Sequence, residues 1–315
     1  MKTKFNKLAF AGFGGLLYMG LLVSCANEDL ESNEVIVSEE EIVVADSDNL
    51  TLVTCSPVKK TWKQFGGSGK DHNVGVNRKI DDRSCTYNYR QTKAGSPFDW
   101  GDYRLNSTDG VSGTERQTRI ERESKTVTNA KSGNYVRITG YCRILSAGTF
   151  EDKFDPDDMR DKDGTYFIQV KGKHKGGNGS SHRAIALFLA KPVRNSKGKV
   201  IKDSKGNIKS FNIYREEIKE RGGRNTTGRQ LVYITNVKYN KDFFVDVSSG
   251  FDKVNGKLRH YVKSKINGVN KTFAVPEPDK GTAVKLRMGA YRCHGGTARI
   301  MWRKGTKQAN FVNKK

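Results

Sequence analysis

Along residues 284–292 the chain alternates with a period of two: Lys285, Arg287, Gly289 and Tyr291 interleave with Leu286, Met288 and Ala290. An extended strand puts the first set on one face and the second on the other. One face packs and the other meets something anionic. Two further stretches repeat the pattern, with Arg119 and Glu121 flanking Ile120, and Gln169 and Lys171 flanking Val170 between Ile168 and Gly172. Side by side, three such strands would form a basic, polar groove floor rather than a buried sheet. Turn chemistry at Asp109-Gly110, Asp163-Gly164, Lys197-Gly198, Lys205-Gly206-Asn207, Asn255-Gly256 and Asn267-Gly268 separates runs rich in Val, Ile, Tyr, Phe and Thr. The runs predict strands at Gln117–Ser124, Tyr135–Leu145, Thr165–Lys173, Ala184–Leu189, Ser210–Tyr214, Leu231–Val237, Phe243–Ser248, His260–Ile266, Ala283–Tyr291 and Ala298–Arg303. Helix-length amphipathic patterns are nearly absent. The expected fold is all-β, a two-sheet antiparallel sandwich or jelly roll, and Gly176–Ser181 reads as a loop tip or lid.

The chain ends change the picture of charge. Lys2, Lys4 and Lys7 precede an apolar run from Leu8 to Val23 that closes on Leu22-Val23-Ser24-Cys25, the pattern of a secretory signal with a lipoprotein-type cleavage box. A transmembrane anchor needs about 20 apolar residues, and this run is shorter and holds four glycines. Residues 1–24 are therefore expected to be a signal peptide and Cys25 the lipidated first residue. Residues 25–58 carry nine carboxylates and no Lys or Arg, and read as a solvated acidic tether. An acidic stretch behind a lipidated Cys resembles the surface-export signal of Bacteroidetes-type lipoproteins, which implies an outer-membrane, cell-surface location. The formal +23 of the whole chain includes +3 from the signal lysines and −9 from the tether, so residues 59–315 carry +29. One β-rich domain of that length can bury a substantial core. So large a charge is costly in self-repulsion unless the partner is a polyanion. For an exported protein an acidic polysaccharide is expected rather than nucleic acid, and the domain is expected to be a monomer.

Cys55, Cys85, Cys142 and Cys293 remain, with no Cys-x-x-Cys element to suggest zinc. Cys55 with Cys85 is the preferred of three pairings, with Cys142 and Cys293 as buried thiols. Asp155, Asp157, Asp158, Asp161 and Asp163 crowd one loop. Oxygen ligands so spaced could hold calcium, but the turn glycine is not at the right offset and a solvated acidic loop is the alternative; no cofactor is expected. Residues 215–224 mix charges and read as a surface excursion at the groove edge, from which Arg221 and Arg224 could grip distal carboxylates. His174 and His182 flank the glycine-rich loop, while His294 lies three residues beyond Tyr291.

The three alternating stretches, as Arg119-Ile120-Glu121, Gln169-Val170-Lys171-Gly172 and Leu286-Arg287-Met288-Gly289-Ala290-Tyr291-Arg292, resemble motifs of jelly-roll polysaccharide lyases of the alginate lyase and heparin lyase I type. Those families carry an Arg-x-Glu strand, a Gln-x-His strand and an aromatic-Lys-x-Gly-x-Tyr strand in the same order. Here Lys171 stands where His is usual and Arg287 where Lys is usual. The resemblance implies β-elimination on a uronic-acid polymer, with alginate first and a heparinoid or glucuronan second.

That chemistry removes a weakly acidic C5 proton beside a carboxylate, so cationic or amide donors must stabilise the developing enolate. A base takes the proton and an acid protonates the departing oxygen. Arg119, Gln169, Lys171 and Tyr291 are the expected catalytic set, with Arg287, Lys285, Glu121, His182 and Arg292 expected around the substrate. Lys171 acts as a base only if nearby cations leave it a neutral fraction; otherwise Tyr291 makes both transfers, and His174 or His182 could supply the missing imidazole. Taken singly, each lysine or arginine could be the solvated face of a sheet, Tyr291 a packed aromatic, and Arg119 with Glu121 an ion pair. The rival function is a non-catalytic glycan-binding lipoprotein.

Overall fold

The computed structural model describes residues 58–61, 72–73, 79–84, 89–92, 97–107, 118–148, 164–175, 182–220, 228–293 and 296–312. Two antiparallel sheets stack face to face as a jelly-roll sandwich. The first, here the groove sheet, runs in space β1 (Val58–Thr61), β2 (Lys79–Asp82), β5 (Arg119–Glu123), β14 (Gly281–Arg292), β7 (Thr165–His174), β8 (Arg183–Pro192), β9 (Ser210–Ile218) and β10 (Arg229–Lys238). The second, the back sheet, runs β13 (Val269–Ala274), β12 (Lys257–Ile266), β11 (Phe243–Val254), β6 (Tyr135–Ala147), β15 (Ala298–Arg303), β4 (Trp100–Leu105) and β3 (Arg90–Thr92), with β16 (Lys307–Phe311) also paired to β6. Among the described residues the helical content is one 3-10 turn, Pro278–Lys280, and no helix is long and apolar enough to cross a membrane.

The inward side chains form one continuous core. Ile120, Val170, Phe188, Leu286 and Met288 of the groove sheet meet Ile138, Val245, Val247, Ile300 and Trp302 of the back sheet, all fully buried. Each such side chain contributes roughly 1.5–3 kcal/mol by leaving water. Phe167 joins the sheets, its ring centroid 6.0 Å from Phe243 and 6.4 Å from Trp302. The hairpins β11–β12 and β12–β13 turn on Asn255-Gly256 and Asn267-Gly268, with positive φ at all four residues, as a tight primed turn requires.

Every strand expected from the sequence is present, most of them longer than expected. The structure adds β1 to β4, β13 and β16. It also corrects the reading of Arg215–Glu217, which belong to β9 and are buried rather than part of a surface excursion. There Arg215 donates to Glu217 Oε1 from Nε at 3.0 Å and from Nη2 at 2.5 Å, so paired charge is what lets a polar strand run inside the sandwich. Cys142 is a core thiol whose burial raises its pKa well above the ordinary range. Residues 1–57, Cys85, the acidic loop, Gly176–Ser181, Arg221, Arg224 and His294 lie outside the described residues.

Candidate active site

The three polar-alternating strands are neighbours: β14 lies between β5 and β7. In register, Lys285 stands opposite Lys171 and Arg287 opposite Gln169 on β7; on the other side Arg287 stands opposite Glu123, Gly289 opposite Glu121 and Tyr291 opposite Arg119. Val284, Leu286, Met288 and Ala290 enter the sandwich core, which leaves Lys285, Arg287 and Tyr291 on the outer face. Arg119, Gln169, Lys171 and Tyr291 are thus brought onto one wall.

That wall is not the open basic floor expected. Arg119, Glu121, Gln169, Lys171, Lys285, Arg287, Tyr291 and Arg292 are all buried, none more than 7% exposed, and much of the charge is paired. Arg287 Nη1 lies 3.3 Å from Asp81 Oδ2 and 3.7 Å from Glu121 Oε2, while Nη2 donates to Glu123. Burial disfavours its charge, but Glu123, Glu121 and Asp81 outweigh that and raise its pKa. For Glu121 the balance favours the neutral form: burial raises its pKa, partly offset by Arg287, Arg119 and the Gln169 hydrogen bond. Gln169 Nε2 donates to Glu121 at 2.6 and 2.7 Å, so its amide nitrogen is committed and its other polar atom is the Oε1 acceptor. Lys285 Nζ reaches Glu123 Oε1 at 3.4 Å. Arg292 donates to the backbone carbonyls of Asn106 and, at 2.5 Å, of Gly296, tying loops to the end of β14.

Tyr291 is framed on two sides. The Arg119 guanidinium carbon lies 4.1 Å from its ring centroid, and the Tyr166 ring is 5.5 Å away at 48°. Tyr166 donates its hydroxyl to Glu216, which accepts a second bond from Arg229 Nη1 at 2.6 Å. Asp81, Glu123, Tyr166, Glu216 and Arg229 are site residues that the sequence reading missed. Strict alternation back from Gln169 would put Phe167 on the wall. A register irregularity between Tyr166 and Ile168 instead sends Phe167 and Ile168 both into the core and turns Tyr166 outward.

The histidines separate. His182 sits before β8 beside the lysines; burial first, then Lys285, Lys173 and Lys171, lower its pKa to about 4. It is neutral at physiological pH. His174, at the end of β7, instead faces His260, with ring centroids 6.2 Å apart. Among the described residues no group of three or more His, Cys, Asp or Glu is arranged to hold a metal ion. The wall can therefore present cations, a phenol and a neutral imidazole to an acidic sugar.

The sequence profile of PL28 ulvan lyases matches residues 43–313. An endo-acting ulvan lyase of Formosa agariphila is 38% identical over 240 residues, covering 75% of this chain and 43% of the relative. An ulvan lyase of Nonlabens ulvanivorans is 35% identical over 246 residues, covering 75% and 42%. The chain thus spans less than half the length of these curated relatives. Among solved structures, an alginate lyase from Pseudomonas aeruginosa superposes with a TM-score of 0.47 at 8% identity, covering 72% of this chain and 87% of the other. A PL7 alginate lyase from Zobellia galactanivorans gives 0.46 at 13%, covering 79% and 87%.

Proposed function

Because this chain belongs to the PL28 ulvan lyase family, we propose that it cleaves ulvan, an anionic uronic polysaccharide, by β-elimination, in place of the alginate that the motifs put first. The observation that carries the reading is the meeting of Arg119, Gln169, Lys171 and Tyr291 on one face of β5, β14 and β7. In this mechanism Arg119 and Lys285 offset the uronate carboxylate as the enolate develops. Lys171 takes the C5 proton: Lys285 stands directly opposite it, and a neighbouring cation disfavours a second charge, the condition under which an amine serves as base. Tyr291 protonates the departing glycosidic oxygen. Arg287, committed to three carboxylates, braces the wall rather than gripping substrate, and Glu121 orients Gln169.

The N-terminal pattern supports a second proposal, that residues 1–24 direct export, Cys25 is lipidated and residues 25–58 tether a domain of residues 59–315 at the cell surface. A substrate panel tests the activity. Incubation with ulvan, alginate, glucuronan and heparin should generate the ultraviolet absorbance of an unsaturated uronate on ulvan and little on the rest. Binding of all four with no absorbance would leave only the glycan-binding function.

A further inference from the structure

We propose that the outer face of the back sheet is a second binding site, separate from the groove, for an acidic polysaccharide chain; the choice of polymer rests on the function proposed above. Strands β6, β11, β12 and β13 floor a shallow depression of about 570 Å³ there, within the size range of ligand sites. The sandwich core separates it from the wall that carries Tyr291.

Its charge is one-sided. Arg137, Lys263, Lys265 and Lys271 line it against a single carboxylate, Asp246, and Asp246 is already held by Arg137, with Nε at 2.7 Å. Lys263 reaches Asp252 at 2.8 Å. Lys263 and Lys265 are two residues apart on one strand, so they crowd like charge on one face. Exposed ion pairs contribute only about 0–1 kcal/mol to folding, so stability does not call for this cluster. Protection of a sheet edge does not call for Lys263 and Lys265 either, because their strand β12 is covered by β13, and of the four cations only Lys271 lies on that edge strand.

The aromatic rings favour a sugar over a nucleic acid. Single-stranded nucleic acid binds basic grooves through open ring faces on which bases stack. Here Phe311 stacks on Tyr135 at 5.6 Å and 14°, and Lys263 Nζ sits over the Tyr261 ring at 4.1 Å. Phe311 keeps an exposed part but lies outside the lining, and the depression itself offers phenol hydroxyls and ammonium groups beside the small polar Ser248, Asn270 and Thr272, a set suited to carboxylates and sugar hydroxyls. A polymer held at the back raises the local concentration of chain at the groove without new contacts there.

The test uses the full chain with Lys263→Glu and Lys265→Glu together, in wild-type and Tyr291→Phe backgrounds, with thermal melting as the check on folding. Retardation in gels cast with ulvan should fall at least five-fold in the Tyr291→Phe background, while wild-type turnover of short ulvan oligosaccharides stays within two-fold. Unchanged retardation, or an equal loss on oligosaccharides and polymer, overturns the proposal. So does retardation by single-stranded DNA that matches or exceeds retardation by ulvan. Retardation is read without turnover, so a protein that binds ulvan through this face yet cleaves no uronate polymer would refute the lyase reading alone.

Discussion

Tyr291 gains its orientation from the side chains packed around its ring. Its ring lies between the Arg119 guanidinium and the Tyr166 ring, and Tyr166 is itself fixed by Glu216 and Arg229. A positioned acid or base contributes about 10²–10⁴-fold to rate. Tyr291→Phe keeps the packing and removes the proton, so kcat should fall by at least about 100-fold while polymer binding persists; near-normal kcat would take Tyr291 out of the mechanism. The base is separable in the same way. Lys171→Met should abolish turnover and His182→Ala should cost less than about ten-fold, which is about 1.4 kcal/mol; the reverse order would move the base to His182. Arg287→Ala leaves Asp81, Glu121 and Glu123 without their shared cation, and loss of one partner from a buried ionic group costs about 3–5 kcal/mol. Its expected signature is a lower melting temperature, not a salt-dependent change in affinity.

At the scale of strands, β14 shows what was legible and what was not. Its alternation placed Lys285, Arg287 and Tyr291 on one face correctly, because a strand between two neighbours has a fixed period. Order in the sheet was not legible: nothing local says that β5 and β7, about 50 residues apart, flank it. The bulge at Phe167 hid Tyr166, and mixed charge in Arg215–Glu217 masked a strand whose ions pair within it. Gly289 marks a close approach. Its φ is 148°, and a Cβ there would meet Ile120 O at 2.2 Å and Glu121 Cα at 2.8 Å. Gly289→Ala must therefore push β14 from β5 exactly where Tyr291 and Arg119 meet two residues on. A loss of about 2 kcal/mol or more, with reduced turnover in the folded fraction, is expected in chemical denaturation and assay; wild-type stability would contradict the register.

Over the whole molecule, a strongly basic domain is held as a sandwich in which charges that enter the fold are paired, as Arg215 is with Glu217 and Arg229 with Glu216. One buried group links this to pH. His260 lies between the sheets with Nε2 2.9 Å from Ser249 Oγ, and burial, with His174 second, lowers its pKa to about 3. Its ordinary value is 6.5, so the unfolded chain binds the proton first and stability falls as pH drops from about 6.5 through 3. His260→Asn should flatten the melting temperature against pH between 4 and 6.5, and an unchanged slope would show that other groups set it. The central claim concerns bond-breaking by elimination on ulvan. Digestion of ulvan in heavy-oxygen water, with mass spectrometry of the fragments, tests it most directly. Elimination predicts an unsaturated uronate at one new end and no solvent oxygen at the other, whereas fragments each carrying the mass of an added heavy water would mean hydrolysis and contradict the account.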